Sequence, residues 1–449
     1  MDQVDVVIVG GGFAGLAAAA ALQATGARVE VFEGSATWAN QFRGELIHPR
    51  GVRALGRLRL AEPLFEAGGV EVLGFAATAS PSAPATVLPY TTGVGLGIEH
   101  PLMISTLRRE VAARSGVAIT TSCRVEDFVR KGRRVVGVRT ADGREHRAPL
   151  VVVADGRTSR LRDLLGVGCE VRLLSYTAAI AVEGELPCGR FGHVFLGAPG
   201  PILAYPWAEG RSRFVLDVPV GAPKGRDAIL QFLLSRYVPA LPLPLAGALR
   251  DSLQHSPLEL IATHAISTSA CAAPGVVLLG DAGGCGHPLT ASGLTNAMND
   301  VAALADAISE DGPTDDALRS YQRRRYDFLR MRELFTDALY EVFCGEDSGS
   351  RALQAGVFQY WDSSERSRTA SMDLLSAEDL DPTHFVTEYV RVMGRSAVEV
   401  LRGRSAGSRA GKLSSLLTTS LGRLEQVAQR ATRGVVERYR RDLHSHRAT

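Results

Sequence analysis

The turn Gly10-Gly11-Gly12-Phe13-Ala14-Gly15 constrains this chain more than any other stretch, because of what flanks it. Val4 to Val9 is an apolar, β-branched run of strand type, and Leu16 to Leu22 is an Ala-rich, helix-forming stretch. A G-x-G-x-x-G turn set between strand and helix lets the backbone approach a pyrophosphate, whose charge meets the helix N-terminus. A second strand, Arg28 to Phe32, ends at Glu33, 18 residues after Gly15, where a carboxylate takes ribose hydroxyls. These residues predict a nucleotide-binding α/β unit without specifying the nucleotide.

At 449 residues the chain has material for two or three packed units. A formal charge of +2 gives no global polyanion-binding character, and no nucleic-acid partner is expected. The cysteines (Cys123, Cys169, Cys188, Cys271, Cys285, Cys344) form no C-x-x-C pair. No zinc or other metal site and no disulfide scaffold is expected, which suits a reducing cytoplasm. Met1 to Asp5 lead straight into the first strand, so no signal peptide is expected. No uninterrupted apolar stretch reaches the roughly 18 residues that span a bilayer.

Two further segments narrow the nucleotide. Pro274 to Leu279 reads as a strand, followed by Gly280-Asp281-Ala282, a glycine-rich loop through Gly293, and a helix from Asn296 to Ile308. An aspartate at the strand end can hold a ribityl chain, and backbone N–H groups at the helix start can face a flavin ring edge. Leu150 to Ala154 likewise runs into Asp155-Gly156-Arg157. Each Asp-Gly turn alone also reads as a hairpin or helix cap; the three in this order point to FAD.

The chain resembles the FAD-dependent monooxygenases of the aromatic-hydroxylase fold, and within them it is most similar to squalene epoxidases. The resemblance is carried by Gly44-Glu45 with Pro49, Val153-Ala154-Asp155-Gly156 with Ser159 and Arg162, and Gly280-Asp281-Ala282 with His287-Pro288-Leu289-Thr290 and Gly293. Asn299-Asp300, Ala338 to Phe343, Phe358 to Tyr360 and Leu374 to Ser376 extend it. It implies an α/β fold in which a Rossmann-like FAD-binding domain (1–75, 100–172 and 267–330) is interleaved with a β-sheet substrate domain (76–99 and 173–266). A C-terminal helical region, 331–449, follows.

The resemblance also implies a cofactor set. Gly10, Gly12, Phe13, Ala14 and Gly15 would hold the diphosphate, and Glu33 with Gly34 the adenosine ribose. Arg43 and Arg108 would lie near the diphosphate and ribityl chain, Val125 near adenine, and Asp281 on the ribityl and phosphate side, with Asp155 a further cofactor-binding residue. Pro288, Gly293 and Leu294 would sit by the isoalloxazine. Squalene epoxidases carry a hydrogen-bonded glutamine and tyrosine in the pocket; the matching positions here are His48 and Phe75. Gln41 stands where the family has an arginine.

Phe195-Leu196, Ile202 to Trp207 and Arg213 to Val218 read as strands of the substrate sheet. His48, Phe75, Phe195, Tyr205, Trp207 and Phe214 are the candidate pocket residues, with Phe191 beside them; the alternative for the aromatics is packing between layers. After Arg402 the chain turns basic. Leucines spaced three and four apart predict an amphipathic helix over Lys412 to Val436, lying on an anionic membrane or partner, or packed on its own domain. The location expected is cytoplasmic, or peripheral on a membrane through this helix.

The implied activity is insertion of one oxygen atom from O₂ through a flavin hydroperoxide, with epoxidation of a hydrophobic isoprenoid or polyketide polyene as the leading reading. Aromatic-ring hydroxylation and geranylgeranyl-reductase-like saturation of double bonds are the alternatives. An alkene needs no side-chain base, whereas a phenol profits from one, for which His48, His287 and Tyr205 are the available groups. No catalytic acid or base is assigned. NAD(P)H is the expected electron source, used directly or through a flavin or ferredoxin reductase.

Overall fold

Val6–Val9 is buried along its whole length, and a strand covered on both faces reads as a continuous apolar run. It lies inside a six-stranded sheet of order Ala272–Ala273, Val276–Leu278, Leu150–Val153, Val6–Val9, Val29–Phe32, Val117–Thr120. All neighbours pair in parallel except the short edge strand Ala272–Ala273. The structure, a computed structural model, describes residues 4–37, 44–345 and 347–402.

Three adjacent strands of this sheet, Val276–Leu278, Leu150–Val153 and Val6–Val9, run side by side in one direction. The sequence-predicted turns at Gly10, Asp155 and Gly280 therefore all leave the same carboxyl edge, where open α/β sheets bind ligands. The helix Phe13–Ala24 packs under it with alanines from Ala17 to Ala21 fully enclosed, which explains its apolar, unpatterned sequence. Helix Gly293–Asp311 lies beside it through Met298, Val301 and Leu304. A meander of Val125–Lys131, Arg134–Thr140 and Glu145–Arg147 sits between the first and second turns in sequence.

The second layer is a seven-stranded sheet: Glu259–Thr268, Cys169–Glu183, Arg211–Val218, Ile202–Ala208, Gly192–Phe195, Gly74–Thr78, Thr86–Pro89. Gly95–Gly97, sequence-assigned to the substrate domain, pairs instead with Leu46–Ile47 and Val70–Val72 in a small separate sheet. It still packs close to the seven-stranded sheet: a Cβ on Gly97 would lie 2.0 Å from the Pro206 carbonyl oxygen.

Strand alternation sorts the pocket candidates. Phe195 pairs with Ile202 and Ala204 with Phe214, so these share one face. That face packs on helices Arg226–Arg236 and Leu243–His255 through Ile229, Leu233, Leu249 and Leu253. Phe195 and Phe214 are thus core residues, not pocket lining. Phe75, Val194, Leu203, Tyr205, Arg213 and Val215 belong to the opposite face.

The chain divides into two compact units, Met1–Asp327 and Phe328–Thr449. In the second, helix Ser348–Ser363 crosses Pro382–Arg402 at Gly356, where a Cβ would lie 1.9 Å from Ser396 Oγ. Arg332, on helix Asp315–Cys344, donates to the Leu374 and Leu375 carbonyls at the end of Glu365–Leu375. Among the described residues no helix is long and apolar enough to cross a membrane. The basic stretch Lys412–Val436 lies outside the described residues.

His193 sits on the helix-covered face, fully buried, its ring stacked on Phe195 at 5.4 Å and its Nδ1 donating to the Phe191 carbonyl. Burial lowers its pKa to about 4. The unfolded chain gains a proton near pH 6.5 and the native state only near pH 4, so this stabilisation is lost as pH falls through that window. Urea unfolding of the wild type is expected to lose up to ~3 kcal/mol more between pH 7 and 4 than His193→Gln.

Candidate active site

Gly10 has φ +103°, and a Cβ there would lie 2.3 Å from the Ala154 carbonyl oxygen. A Cβ on Gly15 would lie 1.9 Å from the Gly10 carbonyl oxygen. Glycine is required at both because backbone meets backbone. Gly12 differs: a Cβ on it meets nothing within 4 Å, as at Gly286 and Gly293. These open positions lie at or before the starts of Phe13–Ala24 and Gly293–Asp311, and no side chain caps either helix. Uncapped N–H groups beside open space form an anion-binding arrangement.

Glu33 accepts from the Gly11 N–H at 2.8 Å through Oε2 and from the Ser35 N–H at 2.8 Å through Oε1, bringing its carboxylate to the first turn. Gly34 is exposed beside Arg124, Val125 opens its strand half-buried, and Arg108 lies half-buried on helix His100–Ala112. Arg43 and Gln41 lie outside the described residues. Phe13 is buried and Ala14 lies under Gly280, whose Cβ would be 3.1 Å from the Ala14 methyl. The first and third turns are therefore in contact.

The second and third turns are tied by Arg162, which donates to the Ala282 and Arg157 carbonyls, while Ser159 caps its helix by accepting from the Arg162 N–H. Arg157 stands 3.9 Å from Asp281. Burial raises the Asp155 carboxyl pKa, with the Ser159 hydrogen bond opposing it. Two buried acceptors in these segments lack a hydrogen-bond partner: Asp155 Oδ1 and, in the first turn of Gly293–Asp311, Asn296 Oδ1. Open glycines, uncapped helix starts, a ribose-type carboxylate and orphaned acceptors fit FAD.

A buried pair holds the third turn. Asp300 accepts from the Gly280 N–H at 3.0 Å and from Arg325 Nε at 2.9 Å. Arg325 also donates to the Gly283 and Gly280 carbonyls, each at 3.0 Å. Burial opposes the Arg325 charge, but Asp300, together with Tyr321 and Cys271, outweighs it, and the Arg325 pKa is raised. Sequence reading noted Asp300 and missed Arg325, which nothing local distinguishes on a helix already rich in arginine.

On the sheet face opposite the helices, Arg213 grips Glu45 with both prongs, at 2.8 and 2.9 Å, and lies 4.1 Å over the Trp207 ring. The Tyr205 hydroxyl is bonded to the same carboxylate, and burial pushes the Tyr205 pKa well above its usual value. Burial also raises the Glu45 pKa, with Arg213 opposing it. Nearby in this face, His287 Nδ1 accepts from the Leu289 N–H, its Nε2 lies 3.2 Å from Asp217 Oδ1, and Ser175 donates to the same oxygen.

His48 and Phe75 come together, with ring centroids 6.0 Å apart. The partner of His48 is a residue that sequence reading missed: Tyr90, whose hydroxyl lies 2.7 Å from Nδ1. Nε2 lies 2.8 Å from the Thr290 carbonyl oxygen, and the His48 N–H donates to Thr295 Oγ1 at 3.0 Å. Gly44 lies against Leu294, where a Cβ would be 2.9 Å from Leu294 Cγ. Segment 44–48 and loop 288–295 thus form one wall, which includes Pro288, Gly293 and Leu294.

Comparison with known proteins places this arrangement. A squalene epoxidase family model matches residues 147–410, and an NAD(P)-binding Rossmann-like model matches residues 8–54. Squalene epoxidase 2, mitochondrial, of Arabidopsis thaliana is 28% identical over 86% of this chain and 69% of its own. Squalene monooxygenase of Mus musculus is 27% identical over 86% and 70%. Among solved structures, p-nitrophenol 4-monooxygenase of Pseudomonas putida superposes with a TM-score of 0.72 at 21% identity, covering 85% of this chain and 99% of that one. Klebsiella pneumoniae HpxO, complexed with FAD and uric acid, gives 0.67 at 23% identity, covering 83% and 96%.

Three substitutions test the turns. Gly12→Ala is expected to leave the thermal midpoint unchanged yet weaken FAD about tenfold, ~1.4 kcal/mol, by equilibrium dialysis, because its Cβ enters the open cradle. Gly15→Ala should lose stability as well. Arg325→Met is expected to cost about 3–5 kcal/mol in urea unfolding, since Asp300 is left buried without its counter-charge.

Proposed function

We propose the reaction from one premise: the chain belongs to the squalene epoxidase family. It is an FAD-dependent monooxygenase with NAD(P)H as the electron source. The finer reading is that it epoxidises a carbon–carbon double bond of a bulky apolar isoprenoid or polyene. The chemistry supplied at this site, when FAD is bound and reduced, would be activation of O₂, which is the cofactor's own.

The observation that carries this reading is that each of the groups suspected as a base is already engaged. His48 is bonded at both ring nitrogens. His287 has Nδ1 occupied by the Leu289 N–H and Nε2 turned to Asp217. Tyr205 is bonded to Glu45, with its pKa held high by burial. A phenol hydroxylase gains from a base within reach of the substrate hydroxyl, and an alkene epoxidase does not. The apolar Phe75, Val194, Leu203 and Val215 on the same face favour a hydrocarbon and exclude water.

The residues' tasks follow. The glycine turns and helix starts would bind and orient FAD, the Arg162 and Arg325 clamps would hold those turns, and the apolar sheet face would seat the substrate. Incubation of the full chain with FAD, NADPH and ¹⁸O₂, with and without a flavin reductase, against squalene, shorter polyenes and phenols tests this. Epoxide carrying one ¹⁸O is expected from a polyene. A hydroxylated ring as the sole product, or double-bond reduction without O₂, would overturn the reading.

A further inference from the structure

We infer that His48 and Tyr90 act as a positioning pair, holding the left-handed turn at Ala291 and thereby the start of the helix that would seat the flavin. The inference rests on the reading of the Gly293–Asp311 helix start as part of the FAD site.

The hydrogen bonds have a fixed direction. A carbonyl oxygen only accepts, so the Nε2 that lies 2.8 Å from the Thr290 carbonyl carries the ring proton. In the neutral ring Nδ1 is then an acceptor, and the Tyr90 hydroxyl donates to it at 2.7 Å. The order is Tyr90 to His48 to Thr290, ending on the peptide that joins Thr290 to Ala291.

That peptide needs holding. Ala291 has φ +48° and ψ +27°, the left-handed region, between the 3₁₀ turn Pro288–Thr290 and the helix that begins at Gly293. A non-glycine residue there costs about 1–2 kcal/mol and persists where neighbours over-determine it. Three contacts do so: the Ala291 N–H donates to the Pro288 carbonyl at 2.8 Å, Thr290 Oγ1 meets Ser292 Oγ at 2.9 Å, and His48 holds the Thr290 carbonyl. The backbone N–H of His48 adds a fourth tie, to Thr295 Oγ1 in the helix's first turn.

Phe75 brings no hydroxyl to this site, and its ring packs on both His48 and Tyr90. Tyr90 reaches the site because Gly74–Thr78 and Thr86–Pro89 form a hairpin closed by the Tyr90 N–H on the Leu73 carbonyl. Gly95 leaves room for its ring, since a Cβ there would lie 3.1 Å from Tyr90 Cε2. The hydroxyl thus comes from the end of Thr86–Pro89, with His48 as the group between hydroxyl and turn.

The test uses the full chain loaded with FAD and reads FAD dissociation constant, the shape of the bound-flavin visible spectrum and thermal midpoint for His48→Ala, Tyr90→Phe, His48→Gln, Ala291→Gly and the His48→Ala/Ala291→Gly double variant. His48→Ala is expected to weaken FAD about fivefold and alter the spectrum, and Tyr90→Phe to do so to a lesser extent. His48→Gln, whose amide can donate to Thr290 and accept from Tyr90, should restore the wild-type spectrum. Ala291→Gly in the His48→Ala background should recover most of the lost affinity, because glycine adopts the left-handed turn unaided. Unchanged affinity and spectrum in His48→Ala, or no recovery in the double variant, would overturn the inference. These readouts need no substrate, so absence of epoxidation would overturn the reaction proposed above and leave this pair standing.

Discussion

The architecture depends on backbone meeting backbone at the carboxyl edge of the parallel sheet. Gly15 lies against the Gly10 carbonyl and Gly10 against the Ala154 carbonyl, at separations that admit no side chain. Those contacts draw the first helix up to the sheet end and set the turn after Leu150–Val153 against it. The third turn then closes on the first through Gly280 and Ala14. A nucleotide cradle assembled from chain-distant turns is a consequence of that packing, and its open positions lie where glycine is not sterically demanded.

Buried charge does the remaining positioning. Asp300 with Arg325 fixes the third turn, and Glu45 with Arg213 fastens the segment after the first helix-sheet unit to the seven-stranded sheet. Neither pair is a strong net source of stability, because desolvation offsets much of the attraction. Their effect is geometric. Asp300 Oδ2 takes both the Gly280 N–H and Arg325 Nε, and Glu45 is gripped at both oxygens by Arg213, so each carboxylate ties its segment to one place. Removing one partner costs more than the pair contributes.

Much of this was legible in the sequence. The strands, turns and helices of the nucleotide unit follow from runs of valine and isoleucine that break at glycine and aspartate, and the observed boundaries differ by up to three residues. The pocket was legible only in part. Ile202 to Ala208 is apolar at both odd and even positions, so alternation could not say which face Tyr205 and Trp207 share. Phe195 and Phe214 were misassigned for that reason; only the register, pairing Phe195 with Ile202 and Ala204 with Phe214, separates the faces. Tyr90 and Arg325 were invisible because their roles come from tertiary neighbours, not from any local spacing.

The same neighbours bear on what the site can accept. A hydrocarbon pocket tolerates polar side chains only when their hydrogen-bonding capacity is met within the protein. His48 with Tyr90, Glu45 with Arg213 and Tyr205, and His287 with Asp217 and Ser175 each direct their polar atoms at one another or at backbone. His48 leaves no bare ring nitrogen, because the Tyr90 hydroxyl donates to Nδ1 and Nε2 donates to the Thr290 carbonyl. Phe75, which brings no polar atom, packs on both rings. Hydrogen bonding met within the protein is what lets polar side chains stand in the wall formed by segment 44–48 and loop 288–295 beside apolar neighbours.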